Sequence, residues 1–216
     1  MPSPWSRPED ASTPADVEDA QVLRETPWPG VAAAAPESAQ PPSRPSAAFM
    51  RRHPAHWIAF GFGSGLAPRA PGTVGSLWAW VTFMVLNPWI SAAGPAGWAL
   101  VLVGGTLLGI WACTRTAQHL GTADPGAIVW DEVLGFWLVL WLLTPAAWWL
   151  QLAAFGLFRL FDAVKRGPVG WADRRYKLRP GQAIGWQQGW GIIFDDLVAA
   201  GMTLLTMALL MRLWDW

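Results

Sequence analysis

Residues 128–143 read IVWDEVLGFWLVLWLL. Outside Asp131 and Glu132 the stretch is entirely apolar, so it has to be sheltered from water. Carboxylates at the border of such a segment are costly to keep, and their default reading is functional. The pattern recurs twice. Asp162 closes a second apolar stretch, and Asp195 and Asp196 open a third in GWGIIFDDLVAAG. From residue 51 onward the chain holds eight acids, and these are five of them. Several carboxylates gathered at one membrane depth make a hard-oxygen site for a divalent cation such as Mg²⁺. At a bilayer surface such a cation meets lipid phosphates.

Working outward, apolar segments fall at about residues 76–90, 97–113, 128–143, 146–161 and 194–214. Most have 16 or 17 residues, or about 24–26 Å at roughly 1.5 Å per residue, the short end for a hydrocarbon core of about 30 Å. The expected fold is all-α, a polytopic membrane helical bundle of about four to five short spans. Two alternatives are a re-entrant pair over 128–161 and a buried soluble bundle. The chain of 216 residues is 53% hydrophobic and 14% charged with 18 tryptophans. That favours the membrane reading, because Trp concentrates at bilayer interfaces.

The zero net charge is a cancellation. Residues 1–50 hold seven acids and three arginines, and residues 51–216 hold twelve bases and eight acids. The first segment also contains ten of the nineteen prolines. It is expected to be a disordered Pro/Ala-rich tail, with 51–216 as the membrane-embedded domain. The tail lacks a secretory signal's basic start and apolar stretch, and is expected on the cytoplasmic side. Nothing resembles a basic, aromatic-interleaved stripe for nucleic acid. No feature sets an oligomeric state. Cys113, the single cysteine, is expected to be a bland buried thiol.

With five spans, Arg51, Arg52, Arg69, Arg115, Lys165, Arg166, Arg174, Arg175, Lys177 and Arg179 fall on one side and Arg212 on the other. The positive-inside rule makes the richer side cytoplasmic. The same arrangement brings every suggestive cluster to that face. In IVWDEVLG, Asp131 and Glu132 lie about one turn into a helix, some 100° apart, so only one is expected to face a shared site. In FRLFDAVKRGP, Arg159, Asp162 and Lys165 follow at three-residue steps and share one helix face. This is either an intrahelical salt-bridge ladder or a metal-binding Asp between two phosphate-binding cations. Asp173 is a weaker candidate, expected in a loop. Asp195 and Asp196 repel each other unless a cation neutralises them.

Residues 61–76, GFGSGLAPRAPGTVGS, are dominated by glycine. They read either as a packing turn or as a phosphate cradle built from backbone N–H groups, as at Gly63 and Gly72, with the Ser64, Thr73 and Ser76 hydroxyls. His53, His56 and His119 show no metal-ligand spacing and are expected at surface or interfacial positions. The chemistry left is metal-assisted phosphoryl transfer. Asp131, Glu132, Asp162, Asp195 and Asp196 are its candidate catalytic and metal-binding residues. Gly63, Ser64, Gly72, Thr73, Arg159 and Lys165 are its candidate substrate-binding residues. A non-enzymatic small transporter or assembly factor with structural ion pairs is the alternative.

In order and spacing, GFGSGLAPRAPGTVGS, IVWDEVLG, FRLFDAVKRGPVGWAD and GWGIIFDDLVAAG resemble the motifs of bacterial phosphatidylglycerophosphatase A. The resemblance covers most of residues 57–201. It implies a Mg²⁺-dependent inner-membrane phosphatase that converts phosphatidylglycerophosphate to phosphatidylglycerol, and the charge asymmetry puts its site at the cytoplasmic face. The positions matching its motifs are Gly61, Gly63, Pro71, Gly72, Thr73, Asp131, Glu132, Arg159, Asp162, Lys165, Asp173, Gly191, Asp195 and Asp196. The chain departs from the family at Arg166, where proline is usual, and in a lengthened approach to the last motif across RRYKLRPGQAIGWQQ. The resemblance leaves open which acid is ligand, base or nucleophile.

Overall fold

The structure, a computed structural model, describes residues 44–178 and 182–213. These fold as a helical bundle with no strand among them. Two short helices come first, α1 (Ala47–Met50) and α2 (Pro54–Ala59), followed by a 3₁₀ turn over Gly61–Leu66. The long elements are α3 (Pro71–Ser91), α4 (Pro95–Leu120), α5 (Trp130–Leu143), α6 (Trp148–Val164) and α8 (Trp186–Leu213). The nine-residue α7 (Gly167–Arg175) lies between the last two. The described body begins at Arg44, so residues 47–50, expected in the tail, are helical. The disorder expected for residues 1–43 falls outside the described residues.

Helix ends follow local chemistry. Pro71 and Pro95 open α3 and α4, where a missing N–H costs nothing. Gly121, at φ 65°, closes α4 in the left-handed conformation that glycine tolerates. The helices outrun the apolar segments read from sequence. α4 continues through TRTAQHL and α8 starts at Trp186, because polar turns extend a helix without any hydrocarbon signature. For the same reason α7 forms inside the expected break at 165–191, and Asp173 is helical rather than in a loop.

The shortest of the long helices is the centre of the bundle. α5 has 14 residues, about 21 Å at 1.5 Å per residue. It is buried nearly all round, from Glu132 through Trp137 and at Val139 and Leu140. It packs chiefly on α8 and α3. Phe136 and Phe158 stack at 5.6 Å between α5 and α6. The outer helices turn large apolar side chains outward instead: Val81, Met84, Val85 and Trp89 of α3, Leu100, Val103 and Leu107 of α4, Trp148 and Leu152 of α6, and Leu205 and Leu209 of α8. Among the described residues two helices, Pro95–Leu120 and Trp186–Leu213, are long and apolar enough to cross a membrane.

The glycine stretch packs directly on the segment that carries Asp131 and Glu132. A β-carbon at Gly65 would overlap the Ala127 carbonyl, and one at Gly75 would lie 2.7 Å from Val129 Cβ. The Val129 N–H donates to the Ala59 carbonyl at 2.9 Å, tying α2 to the start of α5. Most of the glycine richness is therefore close packing.

Candidate active site

Asp131 and Glu132 occupy the first turn of α5. Both face inward, contrary to the expectation that only one would, because the site lies at the helix end, where side chains can bend to a common point. Asp196 arrives from α8. One oxygen from each of Asp131, Glu132 and Asp196 lies within 4.8 Å of the others. Asp196 and Asp195 sit about two and a half turns inside α8, not at its start, since the helix begins at Trp186.

α6 supplies the counter-charge. Arg159 Nη1 is 2.6 Å from Asp162 Oδ2 and 3.7 Å from Glu132 Oε1, and it donates to Ser76 Oγ at 3.4 Å. Asp162 lies beside Asp196. Lys165 leaves this face. It caps α6 at φ 42°, ψ 47°, in the left-handed region, and does not continue the expected three-residue ladder. Its Nζ contacts Asp195 and is 3.2 Å from Asp173 Oδ1, while Lys177 Nζ is 2.8 Å from Asp173 Oδ2. Burial works against the Lys165 charge, but Asp195, Asp124 and Asp173 together outweigh it and push the ammonium pKa up. Burial likewise raises the Asp173 carboxyl, and the two lysines together more than offset it, holding it below its ordinary value.

The five candidate acids and Asp173 thus form two neighbouring groups. Asp131, Glu132 and Asp196 gather with Asp162 alongside, and Arg159 pairs with Glu132 and Asp162 of that group. Asp195 and Asp173 share Lys165, and Asp173 also holds Lys177. Asp124 and Gln188, which no motif singled out, line a small cavity with Asp173, Tyr176, Lys177 and Asp195.

The substrate-binding candidates divide. Gly72 is at the centre: a β-carbon there would overlap Glu132 Oε1 and lie 2.9 Å from Arg159 Nη2. Thr73 follows it in the first turn of α3. Ser64 Oγ donates to the Gly61 carbonyl at 2.9 Å and Ser76 Oγ to that of Gly72 at 3.0 Å, so both hydroxyls are engaged locally. Gly63 sits in the 3₁₀ turn at φ 108°, a conformation that only glycine adopts readily, and a β-carbon there would meet nothing nearer than Met50, at 4.0 Å. The turn needs Gly63 for its shape.

Oxygens of four acids are buried without a hydrogen-bond partner: Asp131 Oδ1, Glu132 Oε2, Asp195 Oδ1 and Asp196 Oδ2. Three belong to the triad. Buried carboxylate oxygens facing one another with no donor are expensive. An all-oxygen set of this kind fits a hard divalent cation, which would neutralise the repulsion and satisfy the oxygens together.

A family model described as phosphatidylglycerophosphatase A matches residues 57–211. This chain belongs to the phosphatidylglycerophosphatase A family. It is 38% identical over 152 residues to the phosphatidylglycerophosphatase A of Escherichia coli K12, covering 68% of this chain and 77% of the relative. The corresponding protein of Haemophilus influenzae is 37% identical over 148 residues, covering 68% and 83%. A putative phosphatidylinositol-3-phosphatase of Bacteroides thetaiotaomicron is 36% identical over 157 residues, covering 70% and 89%. No solved structure matches. Family membership makes the chain a lipid phosphatase and removes the non-enzymatic alternative.

His119 is exposed, as the sequence reading expects, but His56 departs from it. His56 is buried, and all three rings meet, with centroids 5.1 Å apart for His56–His119, 5.4 Å for His53–His119 and 5.6 Å for His53–His56. His56 Nδ1 donates to the Phe49 carbonyl at 3.0 Å, which leaves its Nε2 to accept from His119 Nδ1 at 2.9 Å. His119 reaches the cluster from the far end of α4, a proximity with no local sequence signal.

Proposed function

We propose that the protein removes the terminal phosphate of phosphatidylglycerophosphate in a Mg²⁺-dependent reaction at the cytoplasmic face of a bacterial inner membrane. The observation that carries this reading is the buried triad of Asp131, Glu132 and Asp196, whose unpartnered oxygens fit a divalent cation. The relatives named for this lipid supply the substrate.

Asp131, Glu132 and Asp196 would hold the ion, with Asp162 beside them. When bound, the ion polarises a phosphoryl oxygen and provides an acidified water. Arg159 is anchored by Asp162 and directed toward Glu132, so its guanidinium is oriented before a phosphate arrives. The first turn of α3 at Gly72 and Thr73 adds backbone N–H groups at a helix N-terminus, which favour an anion. Lys165, held by Asp195 and Asp173, supplies a second fixed cation for the phosphate or its leaving group.

The membrane setting is supported by the outward apolar side chains of α3, α4, α6 and α8 and by the concentration of bases near the triad end. In the test, purified protein in detergent releases phosphate from phosphatidylglycerophosphate with Mg²⁺ and stops with a chelator. Phosphatidylinositol 3-phosphate, the substrate class named for the Bacteroides relative, serves as the competing lipid. Equal turnover of both, or release undiminished by chelator, would overturn the reading.

A further inference from the structure

Helix α7 has two unlike faces. Val169, Gly170 and Ala172 are buried, whereas Trp171, Arg174 and Arg175 are exposed, as is Arg166 just before the helix. Trp171 is 56% exposed even though its ring meets Phe194 of α8 edge-on at 6.2 Å. Tyr176 and Trp190 close on the same Phe194, each at 5.6 Å. This aromatic group lies at the residue next to Asp195.

The three arginines form no ion pair among the described residues, and the nearby carboxylates are occupied. Asp173 is held by Lys165 and Lys177, and Asp195 by Lys165. Arg174 and Arg175 share the exposed side of α7 with Trp171, and Arg166 is exposed at its N-cap; such a set of cations beside a tryptophan matches an anionic bilayer surface. The indole settles among the headgroups and the guanidinium groups meet lipid phosphates.

We infer that α7 is an interfacial helix that binds anionic lipid headgroups through Arg166, Arg174 and Arg175. Trp171 and its aromatic neighbours fix the depth at which the carboxylate groups sit. The inference rests on the membrane setting proposed above but not on the identity of the substrate. It gives the site a local reservoir of anionic lipid and makes its engagement with the surface dependent on bilayer charge.

The test uses the full chain in lipid nanodiscs, either of phosphatidylcholine alone or with an added fraction of phosphatidylglycerol. Hydrogen exchange is followed over residues 167–176. Exchange should slow by about fivefold or more in the anionic discs, and salt at about 0.5 M should erase the difference. The combined Arg166→Gln, Arg174→Gln and Arg175→Gln variant should show no dependence on lipid charge. Exchange indifferent to lipid charge in the wild-type chain, or an effect that survives high salt, overturns the inference. Failure to enter discs at all would instead overturn the membrane setting on which it rests.

Discussion

Gly72 lies flat against the carboxylate of Glu132, with the Arg159 guanidinium closing the same contact from α6. A single methyl group has no room there. Gly72→Ala is expected to displace Glu132 and Arg159 together. Phosphate release should fall by at least about tenfold, whereas stability should change little, because the displaced atoms are the far ends of two flexible side chains. Gly156→Ala, with nothing within 4 Å of the added atom, is the control and should be near neutral in both assays. A fully active Gly72→Ala enzyme would remove this contact from the site.

The triad and Asp195 should respond differently to metal. Mg²⁺ at a hundredfold over its dissociation constant should stabilise the wild-type chain by about 2.7 kcal/mol, read as a rise in thermal midpoint. Asp131→Asn, Glu132→Gln and Asp196→Asn should lose most of that response. Asp196→Asn should also be more stable than wild type without metal, because it removes one of several crowded like charges. Asp195→Asn should keep the metal-induced rise while its activity falls, since its partner is Lys165. A metal response lost equally in all four would merge the two groups into one site.

Arg159 joins Asp162, Glu132 and Ser76. Arg159→Gln leaves the two carboxylates without their cation and is expected to cost on the order of 3 kcal/mol, along with activity. Arg159→Lys restores charge but not the planar fork, so it should recover stability better than turnover. Thermal denaturation with and without Mg²⁺, paired with the phosphate assay, separates the two effects.

Burial lowers the pKa of His56. The bond to Phe49 acts against this, while His119, His53 and Arg52 add to it. The neutral ring therefore belongs to the folded state. Its contribution is complete above the ordinary histidine pKa of about 6.5 and declines as pH falls below it, where the unfolded chain takes up the proton first. The decline levels off once the folded-state value is passed. The thermal midpoint should drop over that acid window, and His56→Gln should flatten the drop. An identical slope in wild type and variant would remove His56 from the effect.

The bundle and its acids were legible because hydrocarbon-soluble segments and their bordering charges are local signals. Asp131, Glu132, Arg159, Asp162, Asp195 and Asp196 each announce themselves within a few residues of an apolar run. How they would divide was not legible. Lys165 stands at helical spacing from Asp162, yet it caps α6 with positive φ and turns to Asp195, a backbone event invisible to periodicity. The 61–76 glycines fit a phosphate cradle and a packing turn equally well until Ala127 and Val129 are seen against them. α7 and the first turns of α8 were missed because polar helix carries no such signal.

The enclosed position of α5 has a consequence for biosynthesis. Its principal packing partner, α8, lies later in the chain, and Asp196 comes with it. During translation the ribosome therefore releases Asp131 and Glu132 well before their third companion exists. In the site proposed above, a nascent polypeptide halted after α6 therefore holds an unfinished pocket, and termination before Asp196 is expected to give an inert product.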